Sequence, residues 1–188
     1  MQPTSIIQSL PVRPGDTFVP RELSSIDGER VRIPDRTHAF VHLQLRRYAG
    51  CPICSLHLRS IEARHAELVS AGIREVVVFH SSAEDIRKVH RGWPFAVVAD
   101  PRKELYAALG VGTSVRAVLD PRVWPTAVRA VASGASADPT AGAADGSTGL
   151  PGDFLVSRDG LVLAAKVGAH ADDQWSVDEL LALAATEQ

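Results

Sequence analysis

The chain holds only two cysteines, and both fall in one tetrapeptide, Cys51-Pro52-Ile53-Cys54. Just upstream, His38–Leu45 (HAFVHLQL) is apolar and β-prone and reads as a central strand. Downstream, Leu58, Ile61, His65 and Leu68 recur at helical spacing until Gly72 closes the pattern. The cysteine pair therefore sits where a strand hands over to a helix, and few folds place two thiols there. A secreted disulfide scaffold would scatter several cysteines along the chain. A lone C-x-x-C in an α/β sequence reads instead as redox or metal chemistry.

The remaining elements extend this alternation. Strand-like runs around Thr17–Val19 and Arg30–Ile33 flank Asp27-Gly28, a turn signal, and predict a β-hairpin. Glu75–His80 (EVVVFH) reads as a buried strand and Phe95–Ala99 as another, with short helices begun at Ser82 and at Arg102. Phe154–Ser157 and Leu161–Val167 flank Arg158-Asp159-Gly160 as a second hairpin, and Ser176 with Glu179 forms a capping box for a last helix. The order predicts an α/β fold, thioredoxin-like in arrangement. A mixed central sheet is flanked by helices, with an N-terminal β-hairpin and an insertion before the C-terminal one.

That insertion, about residues 113–149, interrupts a single domain whose core covers about 12–112 and 150–185. Asp120-Pro121 marks a helix start within it. Ser133–Gly149 is nearly all Ala, Gly, Ser, Thr, Asp and Pro, a composition predicted to bury no core and to be partly flexible. Val123, Trp124, Val128 and Val131 could pack on this chain or on a second copy in a homodimer.

The chemistry follows from position. A free thiol with pKa near 8.5 is mostly protonated at neutral pH, and the unpaired N–H groups at a helix start favour its anion. Cys51 is placed there, with Pro52 at the first helical position, where a missing N–H costs nothing. Arg46 and Arg47 could add cationic support or point to solvent. Cys54 shares the apolar stripe of Leu58, Ile61 and Leu68, so it is predicted to be the more buried sulfur. Cys51 then attacks, and Cys54 resolves by closing an intramolecular disulfide.

Two other readings stay open. The cysteines could be inert core residues, or Cys51, Cys54 and His57 (C-x2-C-x2-H) could bind zinc or copper, although no second cysteine pair completes a structural zinc site. His57 reads as a solvent-facing helix residue, with a possible role in proton transfer, and His65 as a core or rim residue. The net charge of −2 leaves no electrostatic footprint for nucleic acid or anionic membrane. Met1–Pro14 lacks the apolar run of a secretory signal, and no run approaches the roughly 20 residues that span a bilayer, which predicts a cytoplasmic protein.

The segment Arg47-Tyr48-Ala49-Gly50-Cys51-Pro52-Ile53-Cys54, with Leu56-His57-Leu58-Arg59 behind it, resembles the peroxiredoxin-like branch of the alkyl hydroperoxide reductase/thiol-specific antioxidant family. Pro14-Gly15-Asp16 with Asp27-Gly28 is similar to that family's N-terminal hairpin. Phe95–Pro101 with Leu105-Tyr106 and Leu109-Gly110-Val111, and Phe154-Leu155-Val156 with Asp159-Gly160, extend the match. The resemblance implies a thiol peroxidase or thiol–disulfide oxidoreductase without organic cofactor. Its substrate would be a peroxide or a disulfide, and its electron donor thioredoxin-like or a small thiol. The chain departs from the family pattern three residues before Cys51, where Tyr48 replaces a Thr or Ser, and at Gln44, which replaces a Pro. The C-x-x-C pair itself is more like a thioredoxin-type reductant. The resemblance further implies that Pro151 is a cis-proline facing the dithiol and that Arg116 is the distant arginine near the sulfur. A third reading combines these features: a redox sensor whose dithiol switches the 113–149 insertion.

Overall fold

A computed structural model describes residues 11–136 and 138–187, so most of the N-terminal stretch read above for a leader lies outside it. Five strands form the central sheet: β3 (Phe40–Arg46), β4 (Ile73–Phe79), β5 (Ala96–Ala99), β6 (Gly152–Ser157) and β7 (Val162–Val167). Their spatial order is β5-β4-β3-β6-β7. β3, β4 and β5 run parallel, while β6 is antiparallel to both β3 and β7. β1 (Arg21–Ser24) and β2 (Arg30–Ile33) make a separate hairpin. Its first strand lies later than the predicted Thr17–Val19; Thr17 bridges Leu161 beside β7 instead.

Alternation along β3 divides the core. Val41, Leu43 and Leu45 face the hairpin and α4 (Glu104–Leu109), packing with Val31, Ile33, Leu105 and Leu109. On the other face lie α1 (Pro52–Ala63), α2 (His65–Ser70), α3 (Ala83–Val89) and α7 (Val177–Ala185). Leu58, Ile61, Leu68, Ile86 and Leu180 cover Val77, Phe79 and Leu155 there. The helix predicted to run unbroken to Gly72 is divided at Arg64 (φ −116°, ψ 16°), whose guanidinium binds Glu67 and Asp178. Ser176 and Glu179 close the predicted capping box on α7. No helix among the described residues is long and apolar enough to cross a membrane.

The insertion contains α5 (Val115–Val118) and α6 (Trp124–Ala132), and Asp120 caps the short turn that leads into α6. α6 packs along α1. Of its apolar residues, Val123 is buried against this chain, whereas Trp124, Val128 and Val131 stay exposed.

Candidate active site

β3 ends at Arg46, and the chain turns through Arg47–Gly50 before α1 starts. The Cys51 N–H donates to the Tyr48 carbonyl (3.1 Å), which closes the turn. Cys51 is the N-cap of α1 and Pro52 its first residue, as predicted. The Cys51 sulfur accepts the Cys54 N–H at 3.5 Å and the Arg47 Nη1–H at 3.5 Å. Both cysteines are reduced and fully buried. Burial alone would raise the Cys51 pKa. The Cys54 thiol, the Arg47 charge and the N–H groups of Cys54 and Ile53 outweigh it and bring Cys51 down to about 6. Cys54 moves the other way, pushed well up by burial and by its neighbour's sulfur. The two thiols are thus chemically unlike: one ionises readily, the other keeps its proton.

Arg47 is only 4% exposed and sits 5.6 Å over the Tyr48 ring, a cation–π contact. Burial raises the half-buried Tyr48 phenol to about 12, so it stays protonated at neutral pH. Arg116, the arginine first expected near the sulfur, is exposed on α5; Arg47, four residues before Cys51, fills that place. Pro151 is also not as expected. Among the described residues only the Ile33–Pro34 bond is cis, so Leu150–Pro151 is trans. There the Leu150 N–H donates to Gly112 and the Pro151 carbonyl accepts from Gly168, leading the chain directly into β6.

Arg46 also does not point to solvent. It belongs to a fully buried polar ladder in which His42, Gln44 and Arg46 alternate along β3. His42 meets Glu75 of β4 at 2.9 Å and Asp153 of β6 at 3.1 Å. Arg46 binds Asp153 and Gln44, and Gln44 donates to Glu75. Burial would hold His42 neutral, but Glu75 and Asp153 outweigh it and raise it to about 9, so the imidazole is protonated at neutral pH. His57 approaches Arg46 at 3.3 Å, and burial together with that guanidinium drives its pKa well below the ordinary value. It is a half-buried acceptor of the Arg46 N–H that also borders the cavity between α1 and α6. Among the described residues, no three His, Cys, Asp or Glu side chains are grouped to hold a metal ion. A cavity of about 300 Å³ opens between α1 and α6, lined by Ile53, His57, Ser60, Thr126, Arg129 and others, but neither cysteine lines it.

The stretch predicted to bury nothing packs on the dithiol turn. A strap, residues 138–149, lies against the turn that carries Cys51. The Gly50 N–H donates to the Ala141 carbonyl (2.8 Å), and Arg47 Nη2–H donates to the Ser147 carbonyl. Ala135 and Ala141 are buried, Ala141 within the same core as both cysteines. A side chain on Gly50 would collide with the Asp138 carbonyl oxygen, and one on Gly142 (φ 72°) with the Ser81 hydroxyl, which accepts the Ala49 N–H at 3.0 Å. Arg59 holds the approach to the strap through the carbonyls of Ser133, Gly134 and Ala135. Small residues are what this contact needs, because backbone meets backbone.

No curated protein matches the sequence. Among solved structures the chain is similar to peroxidoxin BcpB from Mycobacterium tuberculosis, with a TM-score of 0.62 and 15% identity over 94% of this chain and 99% of that one. It is similar to a structure assigned as thiol:disulfide interchange protein DsbE from Chlorobium tepidum, at 0.59 and 18% over 92% and 99%. A third is the reduced 2-Cys peroxiredoxin of Plasmodium vivax, at 0.65 and 13% over 95% and 83%. At these identities the likeness is one of fold, and it agrees with the thioredoxin-like architecture. The sequence itself matches a family model over residues 60–170, more than half of the chain, beginning beyond Cys54 and running through the strap. The chain belongs to the AhpC/TSA antioxidant enzyme family, in the thiol-dependent peroxidase and thiol–disulfide oxidoreductase class.

Proposed function

We propose that the protein reduces a peroxide or disulfide substrate through a Cys51/Cys54 dithiol–disulfide cycle. The observation that carries this reading is the split between the sulfurs: Cys51, at the helix start beside Arg47, ionises near pH 6, while Cys54, one turn on, holds its proton. With a hydroperoxide, the Cys51 thiolate attacks the distal oxygen. The O–O bond breaks, the alkoxide or hydroxide leaves with a proton, and Cys51 becomes a sulfenic acid. The Cys54 sulfur then attacks the Cys51 sulfur, water leaves, and a disulfide remains. Two electrons from a thioredoxin-like protein or a small thiol restore the dithiol, with no organic cofactor. The reducing cytoplasm is the compartment that suits a free, buried dithiol.

The test is a thiol count by mass spectrometry before and after one equivalent of hydrogen peroxide. The expected result is loss of both thiols with a mass decrease of about two hydrogens, the difference between a dithiol and its disulfide. Cys51→Ser should abolish turnover, and Cys54→Ser should stop at the sulfenic acid. Full activity in Cys51→Ser would overturn the proposal.

A second reading, a redox sensor, is favoured by one contact: Arg47 touches both the Cys51 sulfur and the strap carbonyl of Ser147. On this reading oxidation alters the strap, and limited proteolysis within residues 138–149 should differ between the reduced and oxidised protein. Identical cleavage would count against it.

A further inference from the structure

Cys51 is fully buried in a turn against which the strap is fastened, yet it keeps its reactivity, and these facts together bear on the substrate. Neither sulfur has any exposed surface, yet Cys51 is held as an anion. The strap is fastened at three points: Gly50 to Ala141, Arg47 to Ser147, and Gly142 seated on Ser81. Its end is tied back to the domain, since Thr113 bridges Gly149 and the Ser114 N–H donates to the Thr148 carbonyl at 2.8 Å. A molecule hardly larger than water needs only a slight parting of this cover to meet the sulfur. A bulky hydroperoxide or a disulfide needs the whole strap displaced.

Building on the proposed thiolate chemistry, we infer that the strap is a size filter: while it is seated, Cys51 takes hydrogen peroxide and excludes bulky hydroperoxides and disulfides, with Gly50 and Gly142 as the specificity-determining positions. The chemical step is the one already balanced above, with water as the leaving product. The filter belongs to the reduced state. Closing the Cys51–Cys54 disulfide removes the anion that faces Arg47, the side chain that also donates to Ser147 of the strap.

The experiment measures Cys51 modification in the reduced protein with two pairs of reagents. Hydrogen peroxide is compared with cumene hydroperoxide, and iodoacetamide with fluorescein maleimide, each rate divided by that of the same reagent with N-acetylcysteine. The bulky member of each pair acts only through a minor open state, so its normalised rate should lie about tenfold or more below that of the small member. Gly142→Ala, which drives a methyl group into the Ser81 hydroxyl, should narrow both gaps severalfold while circular dichroism confirms the fold. If that variant does not fold, Ser81→Ala, which removes the seat itself, takes its place. Equal normalised rates in the wild type, or gaps unchanged in a folded variant, would overturn the filter. A gap seen with the alkylating agents but no reaction with either peroxide would leave the filter standing and sink the peroxidase reading instead.

Discussion

Arg46 and Arg47 are consecutive, both are buried, and they serve two regions that treat charge in opposite ways. Arg46 ends the ladder beneath α1, where Asp153 and Gln44 bind it and His42 and Glu75 complete the network across three adjacent strands. Arg47 lies past the end of β3, in a turn, where its neighbours are a sulfur that can lose or gain a proton and the carbonyl of a strap. A buried polar network paired across three strands is bound into the fold. The dithiol turn keeps one anion whose cationic neighbour Arg47 also donates to the strap, so reactivity and access share a side chain.

The largest effect should come from breaking the ladder. Asp153→Asn leaves Arg46 and protonated His42 without their shared carboxylate and should cost about 3–5 kcal/mol in urea unfolding, because a buried charge loses its partner. Thiol reactivity in the fraction that stays folded should change little; a large fall there would show that the two regions are not separate. Next comes Arg47→Met, the mirror image. Stability should change less, but the Cys51 pKa should rise towards the ordinary thiol range, cutting the thiolate fraction at pH 7 severalfold. The pH profile of iodoacetamide alkylation reads this directly, with a wild-type midpoint expected at about 6. A variant midpoint still near 6 would remove Arg47 from the account.

The subtlest prediction sets the regions against each other. His42, raised to about 9, contributes stability that is fully present below the ordinary histidine pKa and lost as pH rises through 9. Cys51, lowered to about 6, contributes stability that is present above the ordinary thiol pKa and lost as pH falls through 6. Between about pH 7 and 8.5 the two slopes oppose, so the reduced wild type should hold nearly level. Cys51→Ser should instead fall by about 1.4 kcal/mol per pH unit across that window. Parallel curves for the two proteins would mean that one of these assignments is wrong.

Much of this was legible in the chain. The strand–helix junction at Cys51, the parallel runs Glu75–His80 and Phe95–Ala99, and the Ser176–Glu179 box are local patterns, and each stands where its residues predict. The ladder was not, although its signal is present: His42, Gln44 and Arg46 alternate within a strand that reads as apolar. Their partners lie 33 and 111 residues away, brought beside them only by strand pairing. The strap was misread for a more instructive reason. Ala and Gly lack the bulk to form a core of side chains, but a cover lying backbone to backbone on Gly50 needs that lack of bulk.

The segment before β3 has a consequence of another kind. Gly15 and Asp16 exchange hydrogen bonds with Val162 at the start of β7, and Phe18 N–H donates to Gly160. Ten residues later the same segment crosses to the opposite border, where Ser25 bridges Val98 and Ile26 N–H donates to Val97 of β5. One short stretch thus occupies backbone groups on both outer strands of a five-stranded sheet. Unpaired outer strands are templates for sheet-to-sheet addition between molecules. By occupying those groups the hairpin segment leaves fewer of them free to pair with another molecule's strand.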